Sequence, residues 1–234
     1  FDPPLVEGRL IRRYKRFLAD VRVGRDTVVA HCPNPGSMRT CADEGGRVWL
    51  QRKPATKLGW SWELAEIGGH GGALVSVNTA RGNQLVAAAL AAGAIAELRE
   101  YETIEREVAV GDSRLDFHLS RAGARRNRDR AWVEVKTATM DGGHGAAAFP
   151  DAVTVRGARH LEELRALRRR GFRATLLFVV PRTGVTSVRP ADEIDPRYGI
   201  TLRRAAAAGV EILAYTVEPS LTGLHIGRRV AVAL

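Results

Sequence analysis

Cysteine is scarce here: Cys32 and Cys41 are the only two in 234 residues. That excludes a disulfide-built secreted scaffold. A spacing of nine with only His31 alongside is not a zinc pattern either. The pair reads as two small buried thiols of a reducing cytoplasm. No apolar run approaches the roughly 20 residues of a membrane-spanning helix. The opening Phe1-Asp2-Pro3-Pro4 has no signal-peptide pattern and no initiator Met, so it reads as a trimmed start. No glycine-rich phosphate motif stands before a helix; residues 68–72 lead into a strand pattern, which argues against a sugar- or nucleotide-binding enzyme of that type. Lysine is rarest for its role: four residues against 32 arginines.

What is present is ordinary in bulk and unusual in charge. Hydrophobic content of 45% and charged content of 26% suit a globular chain with room for one large domain or two small ones. The net charge of +10 favours a polyanionic partner, nucleic acid ahead of a membrane surface. Residues 9–23, 26–31, 47–52, 61–67 and 73–78 read as five short strands with Gly/Pro-rich joints between them. That pattern predicts a five-stranded OB-like β-barrel over residues 1–82. Arg12-Arg13-Tyr14-Lys15-Arg16-Phe17 interleaves cations with aromatics. It reads either as phosphate contact plus base stacking or as a curved strand with a solvated face. Asn34 and Ser37, in Pro33-Asn34-Pro35-Gly36-Ser37-Met38, form a turn that either approaches a phosphate or is structural.

From residue 83 the texture changes to α/β, and 83–234 reads as a second domain. An Ala/Leu-rich helix is predicted over 84–97, then strands over 102–110, 114–119 and 131–137. A glycine-rich loop follows at 140–145. A helix is expected over 152–170, ending at Gly171 with Asp151 as its cap. Residues 174–180 form an uninterrupted apolar run, as in a strand buried on both faces. A short helix near 200–208 and a strand at 211–217 complete the domain. The order αβββαβ predicts a central mixed sheet.

Within it, Trp132-Val133-Glu134-Val135-Lys136-Thr137 carries the chemistry. Strand alternation puts Glu134 and Lys136 on one face and Val133 and Val135 on the other. Asp116 alternates with Leu115 and Phe117 on the strand before. The pattern D-x17-E-x-K on the second and third strands of αβββαβ resembles the PD-(D/E)XK nucleases. Taken alone, the triplet reads equally as an edge-strand ion pair; the order of elements favours the nuclease reading. In that reading Asp116 and Glu134 are the carboxylate ligands of Mg²⁺ or Mn²⁺, and the Val135 carbonyl is a further oxygen ligand. Lys136 orients the attacking water or neutralises charge at phosphorus. Arg156 and His160, four apart on the second helix, grip a phosphate or lie on a solvated face. The first helix has no acid before Glu97, and Glu107 is a possible substitute.

Several further segments extend the likeness. His31-Cys32-Pro33-Asn34-Pro35-Gly36-Ser37-Met38, Arg114-Leu115-Asp116-Phe117, Glu134-Val135-Lys136, Phe149-Pro150-Asp151-Ala152 and Val210-Glu211-Ile212-Leu213-Ala214-Tyr215 resemble the sugar fermentation stimulation protein (SfsA) family. The resemblance covers nearly the whole chain in order. It implies an OB-like domain followed by a nuclease-like one, DNA binding without strong sequence preference (DNA ahead of RNA), and a regulatory link to sugar metabolism.

Overall fold

The computed structural model describes residues 1–111 and 113–234. The chain begins with a closed barrel. Strands β1 (Leu5–Tyr14), β2 (Leu18–Val23) and β3 (Asp26–His31) form an antiparallel meander. Strands β4 (Arg47–Lys53) and β5 (Gly59–Ile67) pair on the free side of β1, and β5 closes the ring against β3 at Ser61 and His31. This is the five-stranded OB barrel expected from the strand count. Its membership differs from the expectation. Residues 9–23 do not form one bent strand, because Lys15 and Arg16 both take left-handed backbone, with φ of 47° and 64°. They turn the chain into a hairpin. The last predicted strand, β6 (Ala73–Ser76), stays outside the ring as an extension of β5. Leu10, Val21, Leu50, Trp62 and Val75 fill the core. Trp62 is fully buried, and its Nε1 donates to the Leu64 carbonyl at 2.9 Å, which satisfies the indole in an apolar interior.

Helix α1 (Ala80–Ala91) starts before the predicted 84 because the Asn78 side-chain oxygen accepts from the Ala80 N–H at 3.2 Å. It ends early, ahead of the left-handed Gly93. Then come β7 (Thr103–Val110), β8 (Ser113–Ser120) and β9 (Arg130–Thr137), followed by the short β10 (Met140–Asp141) and β11 (Ala146–Phe149). Helix α2 (Val155–Arg169) is capped by Thr154, whose hydroxyl accepts from the Gly157 N–H at 3.0 Å, and not by Asp151 as expected. The Asp151 carboxylate is engaged by the Met38 N–H instead. Strands β12 (Arg173–Val180) and β13 (Ser187–Pro190), helix α3 (Pro196–Ala207), and strands β14 (Glu211–Pro219), β15 (Leu224–Arg229) and β16 (Ala231–Val232) complete the chain.

The main sheet runs β15-β14-β12-β9-β8-β7. Its parallel centre, β9, β12 and β14, is buried on both faces, which explains the continuous apolar run of β12. Val86 and Leu90 of α1 pack with Val133, Leu177 and Val179 on one face. Leu161 and Leu164 of α2, with Tyr198 and Leu202 of α3, pack with Trp132, Leu176 and Phe178 on the other. A short second sheet, β10-β11-β13-β16, flanks the domain. Among the described residues no helix is long and apolar enough to cross a membrane.

The barrel is tied to this domain close to the motif strand. Ser76 N–H donates to the Pro181 carbonyl at 2.8 Å, and Ser37 Oγ donates to the Asp151 carbonyl at 2.6 Å. At Gly36 a Cβ would collide with the Asp151 carboxylate. Gly36→Ala is therefore expected to lower stability by about 1–3 kcal/mol, the range for overpacking. Chemical denaturation of wild type against variant measures it.

Candidate active site

The site begins where the β8 ladder fails. β8 pairs with β9 from Ser120–Arg130 to Phe117–Val133 and no further. On its other side, pairing with β7 skips Asp116 and Glu107, and Glu107 takes a left-handed φ of 55°. The apolar side chains change layers at this break: Phe117 and Leu119 pack on the α1 side, Leu115 on the α2 side. Asp116 thus stands in a notch between diverging strands. Its Oδ2 accepts from the Val135 N–H at 2.7 Å, and its Oδ1 accepts from Asn83 Nδ2 on α1 at 2.6 Å. Helix α1 comes this near because Gly82 lies against Thr137; a Cβ there would meet the Thr137 hydroxyl.

Glu134 and Lys136 project towards α2, as the alternation of β9 predicts. Lys136 Nζ donates to Glu134 Oε1 at 2.5 Å, and His160 Nδ1 bonds the same oxygen. Arg156 Nε donates to His160 Nε2 at 3.3 Å, which assigns the ring proton to Nδ1. Glu134 is only 2% exposed, and its second oxygen, Oε2, is buried with no hydrogen-bond partner. Burial works against its charge, but His160 and Lys136 outweigh it and hold its pKa below the usual carboxylate range. Asp116 moves the other way. Burial first, then repulsion from Glu134, pushes its pKa up to about 6, against the bonds from Val135 and Asn83.

Two carboxylates that repel each other, one with a bare buried oxygen, suit a cation. Among the described residues no three His, Cys, Asp or Glu side chains form a closed cage. The oxygens that could hold a cation are those of Asp116, Glu134 and the Val135 carbonyl, all hard donors. That fits an ion such as Mg²⁺, which is commonly held by one or two carboxylates and completed by water and substrate phosphate.

The notch opens into a cavity of about 510 Å³ between the two domains. Asn34, Arg156, His160, Asp116, Glu134, Val135 and Lys136 all line it. The structure therefore gathers these predicted residues in one place. The basic run on β1 lies elsewhere. Arg12 pairs with Asp20 at 2.8 Å and sits over the Tyr14 ring. Arg13 donates to the carbonyls of Asn34, Gly36 and Ser37 at 2.8–3.2 Å, so it staples the turn. Lys15 and Arg16 form the exposed hairpin turn. Within the 33–38 turn, Asn34 is buried and its Oδ1 accepts from the Gly36 N–H, while the Ser37 hydroxyl is committed to Asp151. Glu107 lines the cavity mouth and is paired with Arg114 at 2.9 Å. Asn83 and Asp151 also line the cavity; the sequence gives Asn83 no role and reads Asp151 only as a helix cap. The acid-poor first helix points at the Asn83 position without naming it.

Residues 11–77 match the family described as "SfsA N-terminal OB domain", and residues 80–223 match "Sugar fermentation stimulation protein RE domain". The chain belongs to the SfsA family. A "Sugar fermentation stimulation protein homolog" of Pseudomonas paraeruginosa is 53% identical over 241 aligned residues, covering 100% of this chain and 99% of that protein. The homolog from Pseudomonas fluorescens strain Pf0-1 is 51% identical, covering 100% and 98%. A solved structure, "The structure of Pyrococcus Furiosus SfsA in complex with Ca2+", aligns with a TM-score of 0.88 at 27% identity, over 99% of this chain and 97% of that one. That SfsA relative was solved with Ca²⁺, a hard divalent cation.

Proposed function

We propose that this SfsA-family chain hydrolyses phosphodiester bonds in nucleic acid, DNA ahead of RNA, with Mg²⁺ or Mn²⁺ held by Asp116, Glu134 and the Val135 carbonyl. The observation that carries the reading is that Glu134, whose Oε2 is buried without a hydrogen-bond partner, lines one cavity together with Asp116 and Lys136. When bound, the cation supplies Lewis-acid charge at the phosphate and makes water a stronger nucleophile at neutral pH. The protein does the rest. His160 and Lys136 keep Glu134 ionised. Asn83 and the Val135 N–H fix the Asp116 carboxylate in orientation. Lys136, beside Glu134, neutralises charge developing on the phosphoryl oxygens. Arg156 engages His160 through Nε and leaves its terminal nitrogens for a flanking phosphate. The net charge of +10 draws in a polyanion. A cytoplasmic location goes with this substrate and with the two unpaired, buried thiols.

A second reading is a DNA-binding regulator linked to sugar metabolism that keeps the site without turnover. The neutral Asn83, bonded to Asp116 from α1, favours it, because no acid stands there to recruit a second cation. One assay separates the two. Labelled single- and double-stranded DNA and RNA are incubated with Mg²⁺ or Mn²⁺, with an EDTA control. Cleavage that EDTA abolishes establishes hydrolysis; binding of every substrate with none cut leaves the regulator.

A further inference from the structure

A second cavity, of about 490 Å³, opens beside the first, and the two share Ala80 and Gln84 in their walls. It lies between the barrel and the first turn of α1. Leu58 and Trp60 contribute apolar wall, and Lys53, the last residue of β4, and Lys57, in the turn to β5, line it as well. Its floor is preset. Glu63, wholly buried, accepts from Ser61 Oγ at 2.8 Å, from Asn78 Nδ2 at 3.0 Å and from Arg81 Nε at 2.5 Å. Arg81 therefore cancels the one acid of the cavity. Lys53 and Lys57 are in no ion pair among the described residues. Half of the chain's four lysines stand here, in a protein whose default cation is arginine. By contrast, Arg12 and Arg13 of the basic run are already committed to Asp20 and to carbonyls.

We propose that this cavity is a subsite for one unpaired nucleotide of a strand, the base against Leu58 and Trp60 and its phosphates at Lys53 and Lys57. The size suits a group of small-molecule dimensions and not a duplex. The charge suits phosphate, and an apolar wall suits a base face of any sequence. The occupant is part of a strand because Ala80 and Gln84 wall both this cavity and the one lined by Asp116 and Glu134, so the two lie side by side. The inference rests on the reading that this site acts on nucleic acid. It adds a substrate class: strands with an unpaired stretch are preferred over blunt duplex.

Fluorescence anisotropy of the full chain in Ca²⁺ buffer tests it, with a labelled single-stranded oligonucleotide, the blunt duplex of the same sequence, and dAMP as competitor. Wild type binds the single strand more tightly than the duplex. Lys53→Ala/Lys57→Ala, with unchanged circular dichroism, loses about tenfold or more on the single strand and less than twofold on the duplex. Its salt slope on the single strand becomes shallower by roughly 1.4, for two lost phosphate contacts. Equal affinity of the double variant and wild type for the single strand overturns the proposal, as does an equal loss on both substrates. Displacement of the strand by micromolar dAMP overturns it in favour of a free-nucleotide site. The underlying reading fails separately. Lysine-dependent strand binding with no cleavage in Mg²⁺ or Mn²⁺ removes hydrolysis and keeps the subsite. Cleavage that is indifferent to both lysines removes the subsite and keeps hydrolysis. Binding of neither substrate removes both.

Discussion

Glu134→Gln is expected to lower cation-dependent cleavage by about 10³-fold or more while leaving the fold intact. The substitution preserves volume and an oxygen for Lys136 and His160, so the packing under α2 survives. What it removes is the charge on the carboxylate with the bare buried oxygen. Charge stabilisation by a bound cation amounts to several kcal/mol in the transition state. A loss of about 4 kcal/mol, at 1.36 kcal/mol per decade, is roughly 10³-fold. Stability moves in a known direction. The Glu134 pKa is held below its ordinary value, so its charge favours the folded state above the ordinary carboxylate range, and that contribution disappears as pH falls through the lowered pKa. Glutamine forfeits it, and the Tm falls modestly at pH 7. Cleavage rate and circular dichroism on the same preparation separate lost chemistry from lost fold. His160→Ala, which removes only a group positioning Glu134, is expected to weaken cation affinity by about 10–100-fold.

Ca²⁺ is expected to raise the Tm at pH 7.5 by about twice as much as at pH 5. In the cation-free folded protein Asp116 titrates near 6, against an ordinary value of 3.8. A carboxyl with a raised folded pKa contributes stability below its unfolded pKa and loses it as pH rises towards the folded value. About 3 kcal/mol is involved between roughly pH 4 and 6, at 1.36 kcal/mol per unit. A cation relieves that cost by binding the ionised form. At a hundredfold excess over Kd it stabilises by about 2.7 kcal/mol, or roughly 5–11 °C for a chain of this size. At pH 5 the proton occupies Asp116 about nine-tenths of the time, so affinity drops about tenfold and the stabilisation is roughly halved. Asp116→Asn should remove both the pH dependence and the response to Ca²⁺. Differential scanning fluorimetry across pH, with and without Ca²⁺, measures all of this. An equal Ca²⁺ shift at both pH values would remove Asp116 from the cation site.

The parts of this molecule that are legible in its sequence are those with a short repeat. The period of two in Trp132–Lys136 puts Glu134 and Lys136 on one face without any tertiary information. The apolar run before Pro181 announces a buried central strand. The illegible parts are made by long-range contact. Ala146, Ala147 and Ala148 have little strand propensity, yet they form β11 because β13 pairs alongside them. Lys15 and Arg16 carry no glycine or asparagine to announce a left-handed turn, so β1 and β2 read as one strand. Asn83 reaches Asp116 only because Gly82 lets α1 approach β9, and Asp151 meets the 33–38 turn only across the domain boundary. The Arg12–Phe17 run reads two ways in the sequence, and one of its contacts is long-range. Charge beside aromatic residues suggests a ligand, but the guanidinium of Arg13 is needed to hold the turn.

Anomalous diffraction from a crystal soaked in Mn²⁺ would locate the cation among these groups. A peak is expected bonded to the Asp116 carboxylate, the Glu134 carboxylate and the Val135 carbonyl, at about 2.0–2.6 Å from each oxygen. A fully soaked crystal with no density between those groups, or with manganese bound only at other residues, would contradict the proposed cation site.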